Sequence, residues 1–172
     1  MKKMLKNKKG FSLVELVIVI AIMGVLAAVA ISMFNGMIQR SRRQADKARA
    51  QQIQKAIVTY ITETGDSSLD QVAHDKVDNL LKWLQQQQTV TFSDGTENQV
   101  GPYLENIRGE ASADNYNPQE DSKKGWSIKV YKDTGEVFVE AIEGEDDNDI
   151  VQDGKPEIVD SGDSGDSGDS GI

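Results

Sequence analysis

Cysteine is absent from this 172-residue sequence, and histidine occurs once, at His74. Disulfide bonds, zinc sites with cysteine ligands and clusters of histidine ligands are therefore excluded. Basic residues are also too few to balance the acidic ones, which leaves a formal net charge of −9. A nucleic-acid-binding surface needs a basic excess to meet the phosphate backbone, so this charge argues against one. We expect no metal site and no cofactor.

Motifs that carry catalysis are lacking as well. The sequence has no phosphate-binding glycine loop and no nucleophile elbow. His74 lies in the stretch VAHDK, which is typical of a polar helix surface. The sequence therefore predicts no catalytic residue, and we interpret the protein as a non-enzyme.

A basic start and a long apolar run are the strongest features that are present. The first ten residues contain five lysines and no acidic residue, a pattern typical of a segment held on the cytoplasmic side of a membrane. No charged side chain occurs from Leu16 to Gln39. This run is long enough to span a bilayer, whose apolar core needs about 20 residues. A single carboxylate, Glu15, stands at its start.

Residue chemistry alone leaves two simple interpretations of this region open. In the first, Glu15 lies at the headgroup boundary, where the positive end of a helix dipole favours an anion. In the second, residues 1–30 form an ordinary secretory signal that ends at the A-x-A sequence Ala28-Val29-Ala30. The mature chain would then begin at Ile31.

The stretch Gly10-Phe11-Ser12-Leu13-Val14-Glu15, followed by the apolar run, resembles the class III signal of type IV pilins and related pseudopilins. The resemblance covers about residues 8–64. It implies cleavage between Gly10 and Phe11 by a prepilin peptidase, N-methylation of Phe11, and retention of the apolar helix. It also implies that Glu15 pairs with the Phe11 amine of a neighbouring subunit in a filament.

Physical chemistry requires only that both charges find a partner. Phe11 and Glu15 are four residues apart and could touch within one helix, so the pairing between subunits is what the resemblance implies. A charged amine at Phe11 and a carboxylate at Glu15 are each costly to desolvate alone, so assembly would relieve a penalty that the isolated subunit bears. Many type IV pilins have a helix-breaking proline where this sequence has Ser32. Gly24 and Gly36 are further soft points of the helix, each weaker than alanine by about 1 kcal/mol.

Beyond Gln39 the apolar pattern becomes amphipathic and predicts that one helix continues to about Thr64, where Gly65 ends it. The early part of this stretch carries a basic patch, which consists of Arg40, Arg42, Arg43, Lys47 and Arg49. The patch is either a solvated helix face or a surface that meets acidic groups of neighbouring subunits. Basic residues at both ends of the apolar run leave a cytosolic head as an alternative to the orientation we expect, with the amino terminus inside and the head outside.

The remaining sequence predicts a small α+β head. A second helix is expected from about Asp70 to Gln87, with an apolar stripe of Val77, Leu80, Leu81 and Leu84, and a short strand at Thr89–Phe92. Alternating residues 126–131 and 136–142, joined by a turn at Gly135, predict an antiparallel hairpin. Ile150-Val151 and Ile158-Val159 predict a further edge hairpin. The carboxyl-terminal half of the long helix is expected to cover the sheet.

The predicted organisation has five parts: a cleaved leader at 1–10, a transmembrane or filament-core helix at 11–39, the amphipathic half of the helix at 40–64, the head at 65–159 and a tail at 160–172. The tail consists of four Asp-Ser-Gly repeats before Ile172 and is expected to be a flexible chain, because it lacks apolar residues and repels itself.

Together these features predict a major pilin of a type IV pilus. The resemblance implies a precursor in the cytoplasmic membrane, a pilus assembly platform as partner, and a homopolymeric filament outside the cell that serves adhesion, motility or DNA uptake. A pseudopilin of a type II secretion or competence system is one alternative. A secreted or membrane-anchored surface binding protein that forms no filament is another.

Overall fold

A computed structural model describes residues 11–92 and 94–156 of the chain. The predicted leader at 1–10, the tail at 160–172 and the strand at Ile158-Val159 lie outside the described residues. Contacts within the chain divide it into two units, one that ends at Ala45 and one that begins at Asp46.

The long predicted helix, α1, runs over Leu13–Thr64. It ends where the sequence predicts, because Gly65 takes a left-handed conformation with φ of 75° and its N–H bonds to the carbonyl of Ile61 at 2.8 Å. This arrangement is a common way to satisfy a carbonyl at a helix carboxyl terminus. In the first unit, the side chains of α1 are exposed over almost its whole length.

The second helix, α2, covers only Val77–Leu84, so the prediction of about Asp70 to Gln87 is too long. Before it, the Asp66 carboxylate accepts the N–H groups of Asp70 and Gln71 at 3.1 and 3.2 Å. The backbone is extended at Lys76, with φ of −145° and ψ of 148°, and the Val77 N–H bonds to the side-chain oxygen of Asn148 at 3.0 Å, so α2 begins only at Val77. His74 therefore lies in the segment before α2 and not on a helix surface. The apolar stripe of α2 is buried as predicted.

Five strands complete the part of the head that the structure describes. Strands β1 (Gln88–Thr91) and β2 (Glu97–Val100) form an antiparallel hairpin, of which only the first strand was predicted. Strands β3 (Gly125–Tyr131) and β4 (Glu136–Ile142) form the predicted hairpin, with Ile128 opposite Val139. The turn places Gly135 at φ of 70°. A short 3-10 helix spans Ala113–Tyr116.

Strand β5 (Val151–Gln152) contains one residue of the first run of the predicted edge hairpin, and because the second run, Ile158-Val159, lies outside the described residues, the hairpin stays a prediction. Strand β5 pairs in parallel with β3, with Val130 opposite Val151, so the three-stranded sheet has the order β4-β3-β5 and is mixed. The parallel pairing follows from the chain returning along β3 after β4. The carbonyl of Ile150 accepts the Val130 N–H at 2.7 Å, and the Ile150 side chain is buried.

The hydrophobic core lies between the second half of α1 and the sheet. Ile53, Ile57 and Tyr60 of α1 are fully buried, and they belong to one apolar cluster with residues of β3, β4 and α2. The architecture is thus α+β, a long amino-terminal helix whose carboxyl-terminal half packs on a small sheet, as the sequence predicts.

Candidate assembly segment and basic patch

The first unit exposes a continuous apolar surface along α1. Its large apolar side chains from Leu13 to Ile38 are between about half and four-fifths exposed. The most apolar 18-residue window of α1 has a mean hydropathy of 2.9, and none of it is buried within the protein. By length and composition this helix is able to cross a membrane. A soluble monomer rarely leaves so much apolar surface uncovered.

Glu15 lies in the first turn of α1, where its carboxylate accepts the backbone N–H of Ser12 at 3.0 Å. Ser12 immediately precedes the helix, and its carbonyl accepts the Leu16 N–H at 3.2 Å. The pattern S-x-x-E before an apolar run is the signature of a capping box, in which the glutamate satisfies the N–H of the residue that precedes the helix. Sequence reasoning missed this pattern. Glu15 therefore has a role within its own chain, and its pairing with a neighbouring subunit stays a prediction.

The predicted processing site consists of Gly10 and Phe11. Phe11 is 91% exposed, whereas Gly10 lies outside the described residues. Cleavage between them and methylation of Phe11 stay predictions.

The three predicted soft points all lie inside α1, and the helix is unbroken at each of them. A methyl group added at Gly24 or Gly36 would have no atom within 4 Å, so neither glycine is required by close packing in this chain. Ser32 continues the helix, as expected for a residue that keeps its backbone donor. Their role as soft points of the helix stays a prediction.

The members of the basic patch have different environments. Arg40, Arg43 and Lys47 are exposed, whereas Arg42 and Arg49 are partly buried. Arg49 donates a hydrogen bond to the carbonyl of Asn117. At least this arginine therefore has a structural role in the head, and a function of the patch between subunits stays a prediction.

Sequence reasoning missed Asp46, which lies one turn before Arg49 and is 4% exposed. Its carboxylate accepts the backbone N–H groups of Gln119 and Glu120 at 2.6 and 2.8 Å. Asp46 and Arg49 together fasten the loop 117–120 to α1. No sequence signal indicates this contact, because the partners are more than 70 positions apart.

The pKa values of two adjacent carboxylates near β3, Asp146 and Asp147, are shifted in opposite directions. Burial raises the pKa of Asp146. The Trp126 N–H, which donates to its carboxylate at 2.7 Å, lowers the pKa but offsets only part of this rise. Burial also opposes ionisation of Asp147, but hydrogen bonds from the Asp149 N–H and from Lys129 outweigh it and lower the pKa. The Lys129 ammonium lies 3.3 Å from the Asp147 carboxylate. Over residues 11–92 and 94–156, no group of three or more potential ligands is arranged to hold a metal ion.

Comparison with known proteins bears on the amino-terminal segment. Residues 5–31 match the family model of the prokaryotic N-terminal methylation motif. The chain is similar to three type IV major fimbrial proteins FimA of Dichelobacter nodosus, each 41% identical over 56 residues. The similar segment covers 33% of this chain and 35–36% of the relatives. No solved structure matches at a significant level. The resemblance to type IV pilins that the residues predict is thus confirmed for this segment.

Proposed function

We propose that this protein is the major subunit of a type IV pilus and that it polymerises through its amino-terminal helix. The observation that carries the proposal is the exposed apolar surface of α1. Glu15 stands near its start, and the methylation motif matched at residues 5–31 overlaps its first part. In the membrane precursor, lipid covers this surface. In the filament, the helices of neighbouring subunits cover it, so its burial is kept while the subunit leaves the bilayer.

The proposed processing creates a new, positively charged amine at Phe11. A prepilin peptidase cuts between Gly10 and Phe11, and the Phe11 amine is methylated. The new amine is a cation four residues from Glu15, and each charge needs a partner when it enters an apolar environment. The amine of one subunit then pairs with Glu15 of its neighbour.

The capping contact is compatible with this pairing. The Ser12 N–H occupies one carboxylate oxygen of Glu15, at 3.0 Å, and the other oxygen remains as an acceptor for an incoming amine. A carboxylate held at the start of the helix also gives the pairing a fixed position along the filament axis.

The proposed partners and location follow from this mechanism. The precursor lies in the cytoplasmic membrane with its head outside, the pilus assembly platform receives it, and the product is a homopolymer on the cell surface. The predicted division into a leader at 1–10, a core helix at 11–39, its amphipathic half at 40–64, a head at 65–159 and a tail at 160–172 belongs to this proposal. The filament would act in adhesion, motility or DNA uptake.

Mass spectrometry of the protein isolated from cells tests the processing. We expect an amino terminus at N-methylated Phe11. A chain that starts at Ile31 would establish an ordinary secretory signal and exclude a filament built on α1. A chain that keeps its first ten residues would support the alternative of a membrane-anchored surface binding protein.

Substitution of Glu15 tests the assembly. We expect Glu15→Ala subunits to be processed and inserted in the membrane but to form few or no filaments by electron microscopy of sheared cell-surface material. Glu15→Gln is the informative second variant, because it keeps an acceptor for the Ser12 N–H while it removes the charge. Normal filaments from both variants would refute the pairing. Short filaments confined to the cell envelope in the parent protein would instead favour a pseudopilin.

A further inference from the structure

A cleft of about 440 Å³ lies in the second unit, between one face of α1 and the loop that follows β2. The helix contributes Gln52, Lys55, Ala56 and Thr59, whose spacing of three and four residues places them on the same face. Residues 102–105, Ile107 and Tyr116 line the rest. The volume is within the range of small-molecule sites, about 300 to 1,000 Å³.

The floor and one wall of the cleft are apolar and held in place. Ala56, Leu104 and Tyr116 are buried at its base. The Tyr116 hydroxyl donates to the carbonyl of Glu105 at 3.0 Å. The Tyr103 hydroxyl donates to the Glu63 carboxylate at 2.6 Å, and its ring lies edge-to-face with Tyr60 at a centroid distance of 5.8 Å. With both tyrosines fixed at their hydroxyl ends, the cleft is preformed, and a ligand need not order these rings.

The rim is polar and electrically balanced. Gln52, Lys55 and Thr59 are exposed along the helix side, and Glu105 is exposed on the loop side. Within the described parts of the chain, neither Lys55 nor Glu105 forms an ion pair with another residue. The Thr59 hydroxyl already donates to the Lys55 carbonyl at 2.7 Å and offers its oxygen only as an acceptor. The cleft therefore offers an ammonium, a carboxylate, an amide and this hydroxyl oxygen around an aromatic wall.

This combination disfavours a charged ligand. The rim has no net charge, so a simple anion or cation meets one attracting and one repelling group, and a zwitterion would pair only with two solvent-exposed charges, which is worth little. A purely apolar molecule would take water from four polar side chains without replacing their hydrogen bonds, which is unfavourable. A neutral molecule with hydroxyl groups for the rim and an apolar C–H face for the tyrosine wall satisfies both parts. Carbohydrates have this chemistry.

We propose that the cleft between α1 and the loop after β2 binds a neutral saccharide of one or two sugar units. This binding is separate from filament assembly and goes beyond the proposed function. The cleft is open to solvent and has only a few polar groups, so the expected dissociation constant is about 1 mM. The hydroxyls of the sugar bond to Gln52, Lys55 and Glu105, and its C–H face packs on Tyr103.

Saturation-transfer NMR on the full chain, solubilised in a polyoxyethylene detergent that contains no sugar, tests the proposal. The probes are methyl glucoside, methyl galactoside, methyl mannoside, N-acetylglucosamine, lactose and maltose. We expect transfer from the protein to the ring C–H protons of at least one of them. Tetramethylammonium and methyl phosphate, whose methyl protons are observable, serve as cationic and anionic probes and should show no transfer.

A matched pair of variants locates the binding. Thr59→Trp places a large ring in the cleft and should reduce the transfer at least fivefold. Val58→Trp adds the same ring at the neighbouring exposed position, which does not line the cleft, and should leave the transfer unchanged. Gln52→Trp repeats the block from a second rim position if Thr59→Trp lowers the melting temperature of the head.

Several outcomes would overturn the proposal. Absence of transfer to every sugar would do so, as would equal transfer in the parent and in both cleft-blocking variants. Preferential binding of methyl phosphate or tetramethylammonium would show that the rim selects charge. If the cleft-blocked variants form no filaments while the parent binds no sugar, the cleft is an interface between copies of the chain. Loss of filaments in Glu15→Ala without loss of sugar binding leaves this proposal intact.

Discussion

At the residue scale, Asp46 shows how one buried carboxylate can fasten a loop. It accepts two successive N–H groups of the loop 117–120 from a position that is almost inaccessible to solvent. Removing it leaves two donors without partners, and each unsatisfied buried donor costs about 1 to 3 kcal/mol. The side chain thus holds the loop by satisfying its backbone and not by hydrophobic contact.

We therefore expect Asp46→Ala to lower the free energy of unfolding of the head by about 2 to 4 kcal/mol, measured by denaturant titration of tryptophan fluorescence. Lys47→Ala is the control, because this neighbouring side chain is exposed and its loss should change stability by less than about 0.5 kcal/mol. Equal effects of the two substitutions would mean that the loop does not depend on the carboxylate.

Asp146 and Asp147 give a paired prediction on pH. The raised pKa of Asp146 means that the folded state binds its proton more tightly, so this group's contribution is fully present at low pH and is lost as pH rises through the folded pKa. Asp146→Asn should therefore raise the melting temperature at pH 7, by an amount worth no more than about 1 kcal/mol because the group is partly exposed to solvent. At pH 3 its effect should vanish.

Asp147→Asn should show the opposite dependence. Its lowered pKa gives a contribution that is present at neutral pH and is lost as pH falls through the folded pKa. The substitution should lower the melting temperature at pH 7 and have little effect at pH 3. Scanning calorimetry of both variants at the two pH values checks the pair, and effects of the same sign at pH 7 would contradict it.

At the element scale, local signals predict the long helix and the main hairpin, because their periodicity and turn residues agree with the fold. Gly65 ends α1 at Thr64, and Gly135 lies in the turn between β3 and β4. The errors occur where distant or local polar contacts decide the backbone. The Asn148 side chain, 71 positions away, accepts the N–H of Val77 at the start of the shortened second helix, and the parallel pairing of β5 with β3 joins segments that no short-range pattern links.

The candidate site likewise has a part that local sequence patterns predict and a part that only long-range contacts create. The residues of the apolar helix and Glu15 are recognisable from sequence, because they form a contiguous pattern. The contacts of Asp46 and Arg49 join segments about 70 positions apart, so only the fold brings them together. The capping box at Ser12 and Glu15 could have been predicted from its spacing of three residues.

The turn of the main hairpin allows a prediction at this scale. Gly135 has φ of 70°, a conformation that other residues adopt at a cost of about 1 kcal/mol. Gly135→Ala should lower the free energy of unfolding by about that amount, measured by denaturant titration. An added methyl group would be 3.9 Å from Ile61, an ordinary contact, so strain of the backbone is the expected cause.

Gly144→Ala provides the matched control for the turn. Gly144 does not have a left-handed conformation, and nothing lies within 4 Å of an added methyl group. The substitution should be neutral or slightly stabilising, because it reduces the freedom of the unfolded chain. A loss of stability at Gly144 equal to that at Gly135 would show that conformation at the turn is not the cause.

At the scale of the whole molecule, burial is confined to one of the two units. Every residue that is buried among the described positions lies at or beyond Asp46. The second half of α1 supplies Ile53, Ile57 and Tyr60 to the core, so the head includes this part of the helix. The apolar part of α1 before Ala45 contributes no buried side chain within the chain, and its surface is available for lipid or for other subunits.

We expect a chain that begins at Asp46 to fold alone and to stay monomeric without detergent, whereas the full chain requires detergent or assembly. The reason is that the truncation removes the exposed apolar surface and leaves the hydrophobic core complete. A chain that begins at Gly65 is the control. It loses three fully buried side chains of α1 and should not fold, because each costs about 2 to 5 kcal/mol when removed and a domain has only about 5 to 15 kcal/mol of stability. Circular dichroism, thermal unfolding and size-exclusion chromatography distinguish the two. A cooperative thermal transition from the Gly65 chain would mean that the core does not need the second half of α1. Aggregation of the Asp46 chain would mean that the first half of α1 is not the only source of exposed apolar surface.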